Sequence, residues 1–197
     1  MKCLVVVAHP VADSLCLSLS RSVIQALTAA GHDVLVENLY ETGFSPSLTV
    51  SERQSYSHPL YNSSAVQTEA EHLLSAEALV LVFPTWWFGF PAILKGWFDR
   101  VWAPGIAYDL PAGPGSIKPK LHNLRRALAV TSLGAPWWVD RLLLRQPVKR
   151  VLKTAILGAC APSCRFEMLS LYQADHLSAK DVEAFTSRIQ RKLGKWS

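Results

Sequence analysis

Three stretches of this chain are apolar at almost every position instead of every second one: Leu4 to Ala8, Ala78 to Phe83, and Ala127 to Thr131. Unalternated, β-branched runs of this length are buried on both faces, and that burial is the property of strands in a parallel sheet covered on two sides. Parallel neighbours need crossover connections, and the intervening sequence supplies helices. After the first run, Leu15, Leu19, Val23 and Leu27 recur at helical spacing, with Ser14 placed as N-cap and Gly31 as C-terminal stop. Strand, helix, strand with right-handed crossovers gives a three-layer α/β domain.

The remaining segments extend the same alternation. Val34 to Leu39 reads as the second strand and Phe166 to Leu171 as the fifth. Helices are expected near 65–75, from Pro91 onward, over Val148 to Ala159 behind Pro147, and after Ser178, where Asp181 completes a capping box. That last helix buries Val182, Phe185, Ile189 and Leu193. Tyr40 to Ser64 reads as an excursion from the regular core, and Ala103 to Asn123, rich in Pro and Gly, as a loop. A chain of 197 residues that is 50% hydrophobic builds one domain over 1–197, with five parallel strands in the doubly wound order 2-1-3-4-5.

Composition narrows the function classes. The net charge of +5 suits a small anionic ligand. Its basic residues, among them Lys118, Lys120, Arg125, Arg126, Arg141, Arg145, Lys149, Arg150 and Lys153, read as solvated faces, without a nucleic-acid-binding motif to focus them. Cys3, Cys16, Cys160 and Cys164 are read as packed thiols in a reducing, cytoplasmic setting. No apolar run reaches the ~20 residues of a membrane span, so no membrane insertion is expected. The histidines, His9, His32, His58, His72, His122 and His176, are dispersed and give no local metal signal. Dinucleotide-fold glycine motifs, P-loops, nucleophile elbows and H-E-x-x-H are missing from the sequence.

In an open parallel sheet, ligands bind beyond the carboxyl ends of the strands where strand order reverses. Three loops converge there. His9 to Cys16 leads into a helix N-terminus, whose free N–H groups suit a phosphate, although Ser14 reads equally as an ordinary cap. Pro84-Thr85-Trp86-Trp87-Phe88-Gly89 sets aromatic rings directly after a strand end, as a flat heteroaromatic ligand requires; a core or dimer contact is the alternative. Thr131-Ser132-Leu133-Gly134 offers small residues that let backbone approach a ligand.

The block Phe83 to Val101, reading FPTWWFGFPAILKGWFDRV, resembles the signature of the flavodoxin-like NAD(P)H:quinone oxidoreductases. The His9-Pro10 loop, Ala107-Tyr108 and Thr131 to Gly134 fall in the same order. The resemblance implies a flavodoxin-like three-layer sandwich that forms a homodimer and binds a flavin, FAD or FMN. It implies two-step ping-pong transfer from NAD(P)H to a quinone-like acceptor. By that similarity His9, Ser14, Leu15 and Cys16 hold the phosphate and ribityl portion. Pro84, Thr85, Trp86, Trp87 and Phe88 contact the ring, and Thr131, Ser132 and Gly134 complete the pocket. Tyr108 roofs the neighbouring subunit's substrate site. Where the vertebrate-type members carry a Tyr and a His this chain has Val139 and Arg145, a departure; Arg145 is read as the candidate cation beside the reduced ring, or else as a solvated helix residue. A regulatory flavoprotein subunit of a membrane transporter and a one-electron carrier use the same fold.

Overall fold

The computed structural model describes residues 1–56, 61–111 and 115–196; His58 lies outside the described residues. The first strand, Lys2–Val7 (β1), is buried along nearly its whole length and feeds helix α1, Leu15–Ala29. Strand β2 is Asp33–Asn38. The excursion that follows contains a helix the sequence does not announce, Val50–Ser55 (α2), started by a Thr49–Glu52 capping box. A 3₁₀ turn, Ser64–Val66, leads into α3, Gln67–Ser75.

Strand β3, Ala78–Pro84, is buried at every position, and α4, Ala92–Val101, begins one residue later than expected, with Pro91 as the cap residue. The Pro/Gly-rich stretch is not wholly loop. Tyr108–Asp109 (β4) and Lys118–Pro119 (β5) pair antiparallel. Strand β6 is Arg126–Ser132. The helix expected over 148–159 is a composite, Pro147–Arg150 (α5), a π-helical stretch Val151–Leu157, and Gly158–Cys160 (α6). Strand β7, Arg165–Leu171, and helix α7, Ala179–Leu193, close the fold. The Ser178–Asp181 capping box is in place, and the hydrogen bonds from Ser178 hold the Asp181 carboxyl below its usual range.

The large sheet runs β2-β1-β3-β6-β7, all parallel, which is the doubly wound order 2-1-3-4-5. Strand residues alternate between two cores. Cys3, Val5 and Val7 of β1 join Val80 and Val82 under α1 and α7, where Leu19, Val23, Leu27, Phe185 and Ile189 pack. Leu4, Val6, Leu79, Leu81 and Phe83 face α3, α4 and the composite helix through Leu73, Leu94, Trp97, Phe98 and Leu152. With both faces covered, nothing in the central strands needs to be polar.

Buried polar groups tie the excursion and helices to this frame. The Arg100 guanidinium bonds Glu52 Oε1 from Nε at 2.9 Å, and its Nη2 stands 2.7 Å from the same oxygen, with both side chains under 5% exposed. Arg100 Nη1 also donates to the Ser45 carbonyl, and Thr49 N–H donates to the other Glu52 oxygen. On β2, buried Glu37 accepts from Trp97 Nε1 at 3.0 Å and lies 2.7 Å from His72 Nδ1. Gly96 allows α4 its approach to the excursion, because a Cβ there would lie 2.2 Å from the Pro46 carbonyl oxygen.

Candidate functional site

The carboxyl ends of β1, β3 and β6 sit side by side, held by Ala8 N–H to the Val82 carbonyl at 3.0 Å and Thr85 N–H to the Ser132 carbonyl at 2.8 Å. A cavity of about 510 Å³ opens there, lined by Thr85, Trp86, Trp87, Phe88, Leu133, Gly134 and Ala135. Its volume lies within the range of small-molecule sites, and no lining residue is ionisable.

Its central feature is a tight turn. Gly89 N–H donates to the Trp86 carbonyl at 2.9 Å, and the two intervening residues both have positive φ, Trp87 at 49° and Phe88 at 55°. Two left-handed residues inside a four-residue hydrogen-bonded turn describe type I′ geometry, which favours Asn and Gly. Placing β-carbons there costs on the order of 1–2 kcal/mol per residue. Trp87 recovers none of this by burial, because its side chain is 99% exposed. Phe90, just beyond, anchors the turn by packing on Phe83 and Phe98 at ring separations of 5.7 and 5.3 Å. Backbone strain of this kind persists only where the surrounding structure over-determines it, and it clusters at functional sites.

The first loop adjoins this turn, with the His9 and Trp86 ring centroids 6.2 Å apart. His9 Nδ1 accepts from Val11 N–H at 3.1 Å, which folds the loop on itself. Ser14 is the cap of α1, its Oγ accepting from Leu17 N–H at 3.3 Å, so the Leu15 and Cys16 N–H groups fall in the first turn without intrahelical acceptors. The Cys16 thiol does not reach the site: it is packed in the core and pushed up to about 12 by burial, leaving only backbone to meet a ligand.

The third loop differs in part from expectation. Thr131 is fully buried and its hydroxyl pairs with that of Thr85 at 2.5 Å, so it positions the loop. Pro84 is likewise a buried strand end. Ser132 is nearly buried, its carbonyl holding Thr85. The small size of Gly134 serves another neighbour, since a Cβ there would lie 2.7 Å from Asp175 Oδ2. Leu133 N–H donates to the Leu171 carbonyl and Ala174 N–H to the Leu133 carbonyl, which zips this loop to the end of β7.

Two expected residues lie away from the cavity. Tyr108 lines a separate cavity of about 330 Å³ with Tyr56, Phe90, Phe98, Trp102 and Cys160, donating to the Tyr56 hydroxyl at 3.2 Å. Burial, then the bond to Tyr56, pushes its phenol up. Arg145 is exposed, in a left-handed pair with Gln146 (φ 55° and 52°), and is not among the residues lining the first cavity. What the sequence did not reveal is the Asp140–Tyr172 bond of 2.8 Å, which ties the segment after the third loop to the residue following β7.

Comparison with known proteins agrees with this architecture. A family profile described as the flavodoxin-like fold matches residues 1–195. A protein of Haemophilus influenzae named as an uncharacterized NAD(P)H oxidoreductase is 36% identical over 114 residues, 57% of this chain and 56% of its own length. The chain spans about half the length of the first curated relatives it matches. An NAD(P)H:quinone oxidoreductase from Methanothermobacter marburgensis superposes with a TM-score of 0.84 at 25% identity, covering 98% of this chain and 94% of that one. An FMN-dependent NADH-azoreductase from Bacillus anthracis, solved with FMN, shares the fold at 16% identity and a TM-score of 0.76, covering 99% of each chain. The match along nearly the whole length, the 2-1-3-4-5 sheet and the aromatic turn after β3 converge on one conclusion: the chain belongs to the flavodoxin-like family that contains the NAD(P)H:quinone oxidoreductases.

Proposed function

We propose that the protein is a flavin-dependent NAD(P)H oxidoreductase that passes two electrons to a quinone-like acceptor. The observation that carries this reading is the left-handed Trp87–Phe88 turn, strained and open to solvent, at the mouth of an uncharged cavity beside a helix N-terminus. These residues fit a flavin nucleotide, FAD or FMN. A planar ring requires aromatic surface and backbone donors without neighbouring charge, while its phosphate requires the N–H groups of Leu15 and Cys16 and the Ser14 hydroxyl.

When bound, the flavin supplies the two-electron chemistry, accepting from reduced nicotinamide and delivering to the acceptor. The chain's contribution is placement. Thr85, fixed by the Ser132 carbonyl and the Thr131 hydroxyl, sets the height of the turn; Trp86 and Phe88 wall the cavity; Leu133 to Ala135 form its opposite side. Donor and acceptor use the same open side in turn, which is the ping-pong order.

The protein works as a homodimer in this reading, with Tyr108 closing the partner's cavity, which accounts for its position away from the cavity of its own protomer. Arg145, exposed and outside the residues that line this cavity, is given no role in this reading. The setting is the cytoplasm, in keeping with four free cysteines. Among the described residues no helix is long and apolar enough to cross a membrane. Stopped-flow mixing of flavin-loaded protein with NADH and with NADPH tests the proposal. Bleaching of the oxidised flavin band, restored by a soluble quinone, is expected, and no bleaching with either nucleotide refutes it.

A further inference from the structure

The two sides of the first cavity are secured by different means. On one, Thr85 is fixed to β6 by the Ser132 carbonyl and the Thr131 hydroxyl. On the other, Leu133, Gly134 and Ala135 lie past the end of β6, and their main chain is bonded to the segment 171–174. Leu133 N–H donates to the Leu171 carbonyl and Ala174 N–H to the Leu133 carbonyl, both at 2.9 Å, and Gln173 N–H donates to the Ala135 carbonyl at 3.3 Å. That supporting segment is itself bent, since Gln173 is left-handed at φ 55°. A wall built on an irregular support needs a further tie.

Asp140 and Tyr172 supply it. Asp140 stands in the π-helical turn Val139–Leu143, a rare form that is frequent at functional sites. It is 4% exposed, yet among the described residues no basic group lies within ion-pair distance of it. Positive charge reaches it through a phenol: Tyr172 Oη donates to Asp140 Oδ2 at 2.8 Å and accepts from Arg141 Nε at 3.3 Å. The bonds form a closed circuit. It runs from the wall through a turn closed by Val139 N–H on the Pro136 carbonyl at 3.1 Å, to Asp140, across to Tyr172, and along 171–174 back to Leu133. An apolar pair of the same shape would fill this space with less risk, because a buried carboxylate that loses its partner is destabilising. What the carboxylate and phenol add is direction, since a hydrogen bond fixes angle as well as distance.

We propose that Asp140 and Tyr172 are positioning residues of the flavin cavity, their bond setting how far the Leu133–Ala135 wall stands from the Trp86–Phe88 turn and hence the width of the slot the ring enters. The inference rests on the flavin reading of that cavity. Neither side chain is among those that line it, so both act through the wall. The action is confined to the ring end. The phosphate end, at Ser14 and the first turn of α1, belongs to a different loop and lies outside the circuit.

The test is titration of the full-length apoprotein with FMN and with riboflavin, followed by flavin fluorescence, together with amide hydrogen exchange on the apoprotein. Tyr172→Phe and Asp140→Leu should each raise the Kd for FMN by about tenfold, within the range by which residues outside a site shift its affinity. Riboflavin should lose as much as FMN, because the circuit reaches only the ring end. Asp140→Asn keeps an acceptor for the Tyr172 hydroxyl and should keep the parent's affinity. Asp140→Leu/Tyr172→Phe should bind no more weakly than either single variant, since the pair acts as a unit. In Tyr172→Phe the Leu133 and Ala174 amides should exchange faster and the Thr85 amide at its parent rate, whereas a general loss of stability would speed all three alike. Unchanged FMN affinity in Tyr172→Phe, a larger loss for FMN than for riboflavin, additive losses in the double variant, or uniform acceleration of the three amides each overturns the proposal. Absence of flavin binding by the parent would strike the flavin reading itself, and the exchange pattern would still decide whether the pair holds the wall.

Discussion

Replacing Trp87 by glycine should make the ligand-free protein more stable and the flavin complex weaker. The side chain is 99% exposed, so its removal forfeits almost no burial within the protomer. Its backbone, at φ 49°, carries a left-handed cost of roughly 1–2 kcal/mol that glycine does not incur. Against this stands the greater unfolded-state freedom of glycine, about 0.5–1 kcal/mol. The balance is a gain of about 0.5–1 kcal/mol, which in a chain of this size raises Tm by about 2 °C. Trp87→Ala removes the same ring and keeps the left-handed cost, so it should show no gain; the difference between the two variants isolates the strain.

Flavin affinity should fall in both variants, because an aromatic face stacked on a heteroaromatic ring is worth about 1–3 kcal/mol. That predicts a loss of about 5- to 150-fold, read by titrating the apoprotein with FMN or FAD and following flavin fluorescence. Differential scanning calorimetry on the apoprotein supplies the Tm. A lower Tm for Trp87→Gly than for Trp87→Ala would refute the assignment of strain, and unchanged flavin affinity would refute the role of the ring.

Arg100→Met should cost about 3–5 kcal/mol in urea unfolding because it strands the buried Glu52 carboxylate, and adding Glu52→Leu should recover most of the loss. Burial raises the Glu52 pKa, but the bonds from Arg100 and Thr49 outweigh it and hold the folded carboxyl below its ordinary value. Its contribution is therefore full above the unfolded value of about 4.3 and is lost as pH falls through the depressed folded value, so Glu52→Gln should flatten the acid limb of the stability curve. Thr131→Val should cost about 1–2 kcal/mol by leaving the Thr85 hydroxyl without its partner, and Thr85→Val/Thr131→Val should be less destabilised than the sum of the singles in the same unfolding assay. Ser14→Ala should lose about 1 kcal/mol of stability with the cap and weaken FMN binding more than riboflavin binding, as measured by calorimetric titration.

The sheet was legible because its chemistry is local: runs such as Leu79 to Phe83, buried on both faces, leave no other place to fold. Helix α2 was hidden for the opposite reason. Val50-Ser-Glu-Arg-Gln-Ser is polar after its first residue, and what holds it is the pairing of Glu52 with Arg100, remote in sequence. The same distance effect altered the meaning of Gly134, read as room for a ligand and found facing Asp175. The π-helical character of Val151–Leu157 depends on a register of backbone bonds that side-chain periodicity does not specify. At the site, aromatic residues just past a strand end pointed to what proves to be a cavity wall, while the left-handed geometry contradicts what Trp and Phe ordinarily adopt and so could not be read from them.

That contradiction is resolved by what lies on either side of the turn. Before it, Thr85 is locked by the Ser132 carbonyl and the Thr131 hydroxyl to a strand buried along almost all its length; after it, Phe90 is wedged between Phe83 and Phe98, and Pro91 starts α4. Helix α4 is itself fixed to β2 through Trp97 and Glu37 and to the excursion through Arg100 and Glu52. Both ends of the four residues from Trp86 to Gly89 are thus held, one by hydrogen bonds to β6 and the other by aromatic packing. The sheet and α4 therefore stabilise a conformation that the turn's own residues disfavour, and the result is a ring surface and a pair of amides presented before any ligand arrives. Loosening the anchors should act on binding from a distance: Arg100→Met, far from the cavity lining, should weaken flavin affinity as well as stability, and Glu52→Leu in the same chain should restore both together.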